Sequence, residues 1–192
     1  EFVKFWTEHT FQPRADGGVL SVKTRYSKRE TAAGWRVCAS GAATEQTPYT
    51  EGERYATKLT ASLKQGVTWQ ADKLCAVACW RDGADPASLV TRLLDENETD
   101  YDALLQKNAS VWEAIWRTAD IRLDASDELQ GAVRYNIYQL IASAPHGDER
   151  ASIGARGLMH GRYKGCYFWD TEVFMLPFFR DALPGTAKSL LL

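Results

Sequence analysis

A chain of 192 residues, 45% hydrophobic and 25% charged, is long enough to bury one large core or two small ones and is typical of a soluble globular protein. Its formal net charge of −2 leaves no basic excess for binding a nucleic-acid backbone, and no apolar run approaches the roughly 20 residues that span a bilayer. The four cysteines form no CxxC pair and lie near no histidine cluster, which favours reduced thiols and predicts neither a zinc site nor a disulfide framework.

The first part of the chain, up to about residue 82, alternates between apolar and polar side chains, the pattern of half-buried β-strands. Strands are expected at residues 19–26, 35–39, 54–63 and 67–80. The Lys64-Gln65-Gly66 turn predicts that the last two of them pair as a hairpin. Residues 40–52, rich in Gly, Ala, Thr and Glu, are expected to form a loop. The pattern as a whole predicts an antiparallel β-sandwich.

The hydrophobic period changes at Asp85-Pro86, where an N-cap Asp and a Pro at the first helical position begin a helix. Further helices are expected at residues 100–118, 127–143 and 173–182. Pro177 is expected to break or bend the last of them. Residues 152–163 are rich in glycine and have no regular period, which predicts a loop of the kind that presents polar groups to a site.

The sequence also predicts the placement of three side chains on these helices. Trp112 and Trp116 share the apolar stripe of the helix at residues 100–118, so we expect them to anchor a core. Asn136 lies on the apolar stripe of the helix at residues 127–143. A polar residue in that place is either hydrogen-bonded within the core or directed at a cavity.

The run G-C-Y-F-W-D-T-E-V-F-M-L-P-F at residues 165–178 places two carboxylates and an indole inside an otherwise apolar stretch. Burying Asp170 and Glu172 without partners would be costly, so they are expected to be paired, hydrogen-bonded, at a helix N-terminus or facing a ligand. The pair Trp169 and Asp170 suits a sugar, whose C–H face stacks on an aromatic ring while its hydroxyls donate to the acid. The alternative is that these acids only stabilise the N-terminus of the helix that follows.

Together with G-L-M-H-G-R-Y-K at residues 157–164, this run resembles the signature of glycoside hydrolase family 65, the inverting phosphorylases of maltose, trehalose, kojibiose and nigerose. Three upstream blocks are similar to blocks of that family and stand in the same order. They are I-W-R-T-A-D-I at residues 115–121, R-Y-N-I-Y-Q-L at residues 134–140 and S-I-G-A-R-G-L at residues 152–158.

The resemblance implies an α+β multidomain fold. Residues 1–83 would be the end of an N-terminal antiparallel β-sandwich, residues 84–124 a helical linker, and residues 125–192 the first helices of an (α/α)₆ catalytic barrel. It also implies a fragment of a longer enzyme, inactive alone, because the family's general acid, a Glu, and its phosphate site lie further downstream. A chain that begins with Glu and ends inside an apolar run agrees with this expectation.

By the same resemblance, the complete protein is expected to transfer a glucosyl group from an α-linked disaccharide to inorganic phosphate, with no metal and no organic cofactor. Trp169 and Asp170 match the positions that hold the nonreducing glucose. Further substrate contacts are expected at Phe168, Glu172, Arg156 and Tyr163. For Arg156 and Tyr163 a surface or structural role is the alternative. The complete enzyme is expected to be a cytoplasmic homodimer.

Two departures from the family pattern stand close to this run. Cys166 occupies the place of a usual His, and Met159, His160 and Gly161 stand where the family has a small residue, Gly and an acid. His160 either takes over a similar role or faces solvent. Two other functions remain open: a hydrolase of the same fold, in which water replaces phosphate, and a noncatalytic sugar-binding module.

Overall fold

The computed structural model describes residues 5–96, 101–157, 163 and 165–191. The chain divides into two compact units, Glu1–Ala103 and Leu104–Leu192. The described part of the first unit contains the β-strands and one complete helix, and the second contains the remaining helices. Within the described residues, no helix is both long enough and apolar enough to cross a membrane.

The strands of the first unit form two antiparallel sheets. They are β1 (Trp6–Arg14), β2 (Gly17–Thr24), β3 (Glu30–Ser40), β4 (Thr44–Glu51), β5 (Arg54–Ala61) and β6 (Gln70–Cys79). One sheet has the order β1-β2-β3-β6 and the other is the pair β4-β5. Antiparallel pairing throughout these sheets confirms the strand type expected from the alternating sequence.

The predicted hairpin between residues 54–63 and 67–80 is wrong. β5 pairs with β4 instead, across a two-residue turn that begins at Gly52, whose φ is +58°. β6 returns to β3, with which it pairs along its whole length. Residues 40–52, expected to form a loop, therefore contain a strand. Its sequence T-E-Q-T-P-Y-T-E has no apolar alternation, so only its pairing with β5 reveals it.

Helix α1 (Pro86–Glu96) begins where the sequence predicts. Asp85 caps it by accepting hydrogen bonds from the Ser88 amide (3.1 Å) and the Ser88 hydroxyl (2.6 Å). The helix packs on one face of the four-stranded sheet, where Val90 and Leu94 are fully buried against strand side chains. Gly34 of β3 permits this approach, because a Cβ there would lie 2.7 Å from Val90 Cγ1.

An aromatic stack lies between the two sheets of the first unit. The Phe11 ring is stacked on Tyr55 at 4.2 Å and on Trp35 at 5.8 Å between centroids. The Trp35 indole N–H donates to Thr57 Oγ1 at 2.9 Å. Because Tyr55 and Thr57 belong to β5, these contacts fix the β4-β5 pair against the larger sheet.

The second unit is built from helices α2 (Tyr101–Ala119), α3 (Asp127–Ser143), α4 (Leu176–Ala182) and α5 (Pro184–Leu191). Its core contains the buried residues Ile137, Ile141, Ile153 and Phe179, among others. Trp112 and Trp116 pack against this core, which confirms them as anchors.

Helix α3 has the predicted bounds. Ser126 Oγ accepts from the Leu129 amide at 3.3 Å and so caps its first turn. The spacing of apolar residues in this helix also predicts that Leu129 and Asn136 face inward, and both are exposed. Leu129 lies near the helix start, ahead of the buried Ile137 and Ile141, where the described residues do not cover it.

The predicted single helix at residues 173–182 is two elements. A π-helical turn, Thr171–Met175, comes first and α4 follows it, with Pro177 in the first turn of α4. Proline is tolerated at a helix start because the first amides of a helix have no partner within it. Of the two expected outcomes at Pro177, the break is the one observed, and the two helical elements meet between Met175 and Leu176.

Candidate functional site

The loop at residues 151–157 lies close against α3. A turn is closed by the Gly157 amide, which donates to the Gly154 carbonyl at 2.8 Å. Gly157 has a φ of +53°, and a Cβ there would lie 2.4 Å from Ser143 Oγ. Only glycine meets both conditions without strain. The turn thereby places Arg156, which precedes Gly157, beside the helix.

A cavity of about 410 Å³ lies between α3, this loop and the π-helical turn. Its lining includes Asn136, Gln139 and Ser143 from α3, Ile153 and Arg156 from the loop, and Met175. The lining thus combines polar side chains of α3 and the loop with apolar ones, and cavities of this mixed kind commonly hold small ligands. Asn136 is expected either to be hydrogen-bonded within the core or to be directed at a cavity. It borders this cavity, and its side-chain amide donates to the Ala132 carbonyl of the same helix at 3.0 Å.

Arg156 also approaches an aromatic pair. Its guanidinium carbon lies 5.9 Å from the centroid of the Tyr163 ring, a cation–π distance. Tyr163 meets Phe168 edge to face at 5.7 Å, and both rings are about half exposed. Three of the six sequence-predicted contacts, Arg156, Tyr163 and Phe168, are therefore brought together.

Trp169 and Asp170 present a different surface. The Trp169 side chain is 64% exposed and meets Phe174 at 5.6 Å. Asp170 is half-buried, makes no capping hydrogen bond to the π-helical turn, and within the described residues its side chain has no hydrogen-bond or ion-pair partner. Asp170 stands at the N-cap position and Glu172 in the first turn, so the alternative that their charges stabilise this helix N-terminus stays open. Neither Trp169 nor Asp170 lines the cavity.

Glu172 stands apart from the other predicted contacts. It is exposed and lines a groove of about 220 Å³ between the π-helical turn, α4 and α5, together with Leu176 and Arg180. The six predicted site residues therefore occupy three neighbouring surfaces: the cavity rim with its aromatic pair, the Trp169 surface, and this groove.

Several residues at the site were not identified from the sequence. Gln139, Ser143 and Met175 line the cavity, and Thr171 is buried beneath the exposed stretch. The sequence feature that could have identified Thr171 is its position between two carboxylates in the run F-W-D-T-E. Cys166 is exposed with a free thiol. Met159, His160 and Gly161 lie outside the described residues.

Two family models match the chain. One, described as glycosyl hydrolase family 65, N-terminal domain, matches residues 2–115. The other, described as the family 65 central catalytic domain, matches residues 134–192. The two models describe domains of the same family, and together they match most of the chain.

Similar proteins carry the names of disaccharide phosphorylases. A nigerose phosphorylase of Lachnoclostridium phytofermentans is 42% identical over 49% of this chain and 12% of its own length. A trehalose 6-phosphate phosphorylase of Lactococcus lactis is 33% identical over 91% of this chain and 23% of its own length. A kojibiose phosphorylase of Escherichia coli is 36% identical over 80% of this chain and 21% of its own length. The chain therefore spans less than a quarter of the length of each of these relatives.

A solved structure from the human microbiome, assigned as a kojibiose phosphorylase, has the same fold. It superposes with a TM-score of 0.79 over 97% of this chain and 25% of its own, at 21% identity. The combination of antiparallel sheets and helices in this chain therefore matches the fold of that protein.

Proposed function

Because this chain belongs to glycoside hydrolase family 65, we propose that it is a segment of an inverting disaccharide phosphorylase. The complete enzyme would transfer a glucosyl group from an α-linked glucose disaccharide to inorganic phosphate. The names of the relatives support a phosphorylase acting on such a disaccharide. No metal or organic cofactor enters the proposed reaction, in which phosphate is the co-substrate.

The observation that carries this proposal is the exposed surface of Trp169, next in sequence to Asp170, whose carboxylate has no hydrogen-bond or ion-pair partner in the part of the chain that the structure describes. A flat indole face offers an apolar platform for the C–H face of a pyranose ring. A carboxylate carries two acceptor oxygens, with which Asp170 can accept hydrogen bonds from the ring hydroxyls. We assign the two residues to the glucose at the nonreducing end.

Inverting transfer needs an acid on one face of the sugar and a nucleophile on the other. In this proposal a Glu further along the complete chain protonates the glycosidic oxygen, and phosphate takes the place of a base-activated water on the opposite face. The Asp170 hydrogen bonds strengthen as the ring develops oxocarbenium character, so that Asp170 stabilises the transition state more than the ground state.

The other predicted contacts extend the same site. We propose that Phe168, Tyr163 and Arg156 border the bound sugar, with Arg156 placed between the aromatic pair and the cavity. We also propose Glu172 as a substrate contact, although it lines a separate groove that the other proposed contacts do not line.

The proposed architecture follows the family. Residues 1–83 complete a β-sandwich domain, residues 84–124 form the linker, and residues 125–192 begin an (α/α)₆ barrel. The complete enzyme is proposed to be a cytoplasmic homodimer, and the 192-residue chain by itself to be inactive.

The test uses the complete protein and four disaccharides: maltose, trehalose, kojibiose and nigerose. We expect phosphate-dependent release of glucose 1-phosphate from one of them. Asp170→Asn should lower kcat/KM at least tenfold, about 1.4 kcal/mol. Asp181→Asn is the matched control, since Asp181 is an exposed carboxylate of α4 that pairs with its neighbour Arg180.

Other outcomes have distinct meanings. Release of glucose without phosphate would indicate a hydrolase of the same fold. Disaccharide binding by the complete protein without any turnover would indicate a noncatalytic module. A wild-type rate in the Asp170→Asn variant would remove Asp170 from the site.

A further inference from the structure

Thr171 directly follows Asp170 and is the one buried residue between positions 165 and 174. Its side chain is 2% exposed, and its hydroxyl donates to the Ile153 carbonyl oxygen at 3.2 Å. Ile153 belongs to the core of the second unit. The exposed stretch that carries Trp169 is therefore joined to the core by the hydroxyl of Thr171.

A second hydrogen bond joins the same loop to the other side of this stretch. The Ala155 amide donates to the Cys166 carbonyl at 3.3 Å. Residues 153–155 thus contact the chain both before Trp169 and after Asp170. Two attachments that flank a pair of residues restrict the backbone between them more than either one alone.

The backbone around Asp170 is wound into an irregular turn. The Thr171 amide donates to the Phe168 carbonyl at 3.3 Å, and the Val173 amide donates to the Trp169 carbonyl at 3.0 Å. The Leu176 amide then reaches back to the Thr171 carbonyl, which makes the turn π-helical. Such turns are rare in proteins and recur at functional sites.

We propose that Thr171 is a positioning residue that acts through Asp170, an inference that rests on the proposed function. The hydroxyl, held by the Ile153 carbonyl, fixes the backbone from which the Asp170 carboxylate projects toward the sugar hydroxyls. A displacement of about 1 Å at a reacting centre can lower a rate by about a hundredfold. The hydroxyl of Thr171 therefore contributes to the rate without touching the substrate.

The test is a pair of substitutions in the complete protein. Thr171→Val keeps the shape of the side chain and removes the hydrogen bond, and should lower kcat by about tenfold to a hundredfold. The disaccharide KM should change by less than about threefold, because Trp169 remains to bind the ring. Thr171→Ser keeps the hydroxyl and should keep kcat within about threefold of wild type.

Two controls separate positioning from folding. Val173→Ala changes an exposed side chain of the same turn and should leave kcat and the thermal midpoint unchanged. If Thr171→Val does not fold, Thr171→Ser is compared with Thr171→Ala, since these two variants differ only in the hydroxyl. Failure of both Val and Ala variants to fold, with a folded Ser variant, would assign the hydroxyl to folding and overturn the proposal.

The outcomes also distinguish this inference from the proposed function. A folded Thr171→Val variant with wild-type kcat, together with a strongly impaired Asp170→Asn variant, overturns the role of Thr171 alone. Wild-type activity in Asp170→Asn overturns the assignment of Asp170, and the inference falls with it.

Discussion

Arg134 donates two hydrogen bonds to the carboxylate of Asp120, from Nε at 2.8 Å and from Nη2 at 2.7 Å. Asp120 directly follows α2 and Arg134 lies in α3, so the pair fixes the connection between these helices. It also joins the block I-W-R-T-A-D-I to the block R-Y-N-I-Y-Q-L. Paired, parallel hydrogen bonds between guanidinium and carboxylate are the strong form of an ion pair.

This ion pair predicts an acid-sensitive contribution to stability. Hydrogen bonds from Arg134, and then from Arg122, lower the pKa of the Asp120 carboxyl below its ordinary 3.8. A carboxyl with a lowered folded-state pKa stabilises the fold above its unfolded pKa and loses that contribution as the pH falls through the folded value. We expect Asp120→Asn to lower the urea midpoint at pH 7, and the difference from wild type to shrink below pH 3.8.

The matched control is Asp181→Asn, which removes an ion pair with Arg180 whose two side chains are each 71% exposed. Exposed pairs contribute little to stability, so its urea midpoint should stay close to wild type. A difference between wild type and Asp120→Asn that stays constant from pH 7 down to pH 2 would contradict the prediction.

Helices with local end signals were predictable from the sequence. Ser126 caps α3 and Pro145 follows its end, and the helix has the predicted bounds. Asp85-Pro86 likewise marks the start of α1. A helix is held by hydrogen bonds between residues four apart, so its limits are encoded by residues close to them.

Strand pairing was less predictable, because the partner of a strand is set by contacts far away in sequence. β4 has a polar sequence and is recognisable only from its partner β5. β6 pairs with β3, whose residues stand 30 to 48 positions earlier, although a turn at Gly66 suggested a nearer partner.

In the candidate site, too, features set by neighbouring residues can be predicted from the sequence, and features set by distant contacts cannot. The order of Trp169 and Asp170 in the chain predicts a sugar surface, and that stays a prediction. The cavity could not be predicted, since Gln139 and Met175 come together only when the loop returns to α3. The burial of Thr171 depends on the same return, which brings the Ile153 carbonyl within reach.

A substitution at Gly157 tests the contact between the loop at residues 151–157 and α3. Gly157→Ala places a Cβ 2.4 Å from Ser143 Oγ and forces a side chain into a positive φ, so it should destabilise the protein by more than about 1 kcal/mol. Gly147→Ala is the matched control, because its φ is +73° and a Cβ there would meet nothing within 4 Å. Urea unfolding of both variants separates steric contact from backbone strain. Equal losses of stability would show that Ser143 does not restrict position 157.

Trp169 supplies the last prediction, which concerns binding of the sugar. Because its side chain is 64% exposed, Trp169→Ala should cost little stability. An aromatic contact contributes about 0.5–1.5 kcal/mol beyond its buried area, so loss of the indole should raise the disaccharide KM by up to about tenfold. Trp169→Phe keeps a flat ring and should raise KM less.

Tyr167→Ala is the control, since Tyr167 is 52% exposed in the same stretch and is assigned no contact with the sugar. Steady-state kinetics of the complete protein measures all three variants. An unchanged KM in Trp169→Ala, or an equal rise in Tyr167→Ala, would show that the indole is not the surface on which the glucosyl ring stacks.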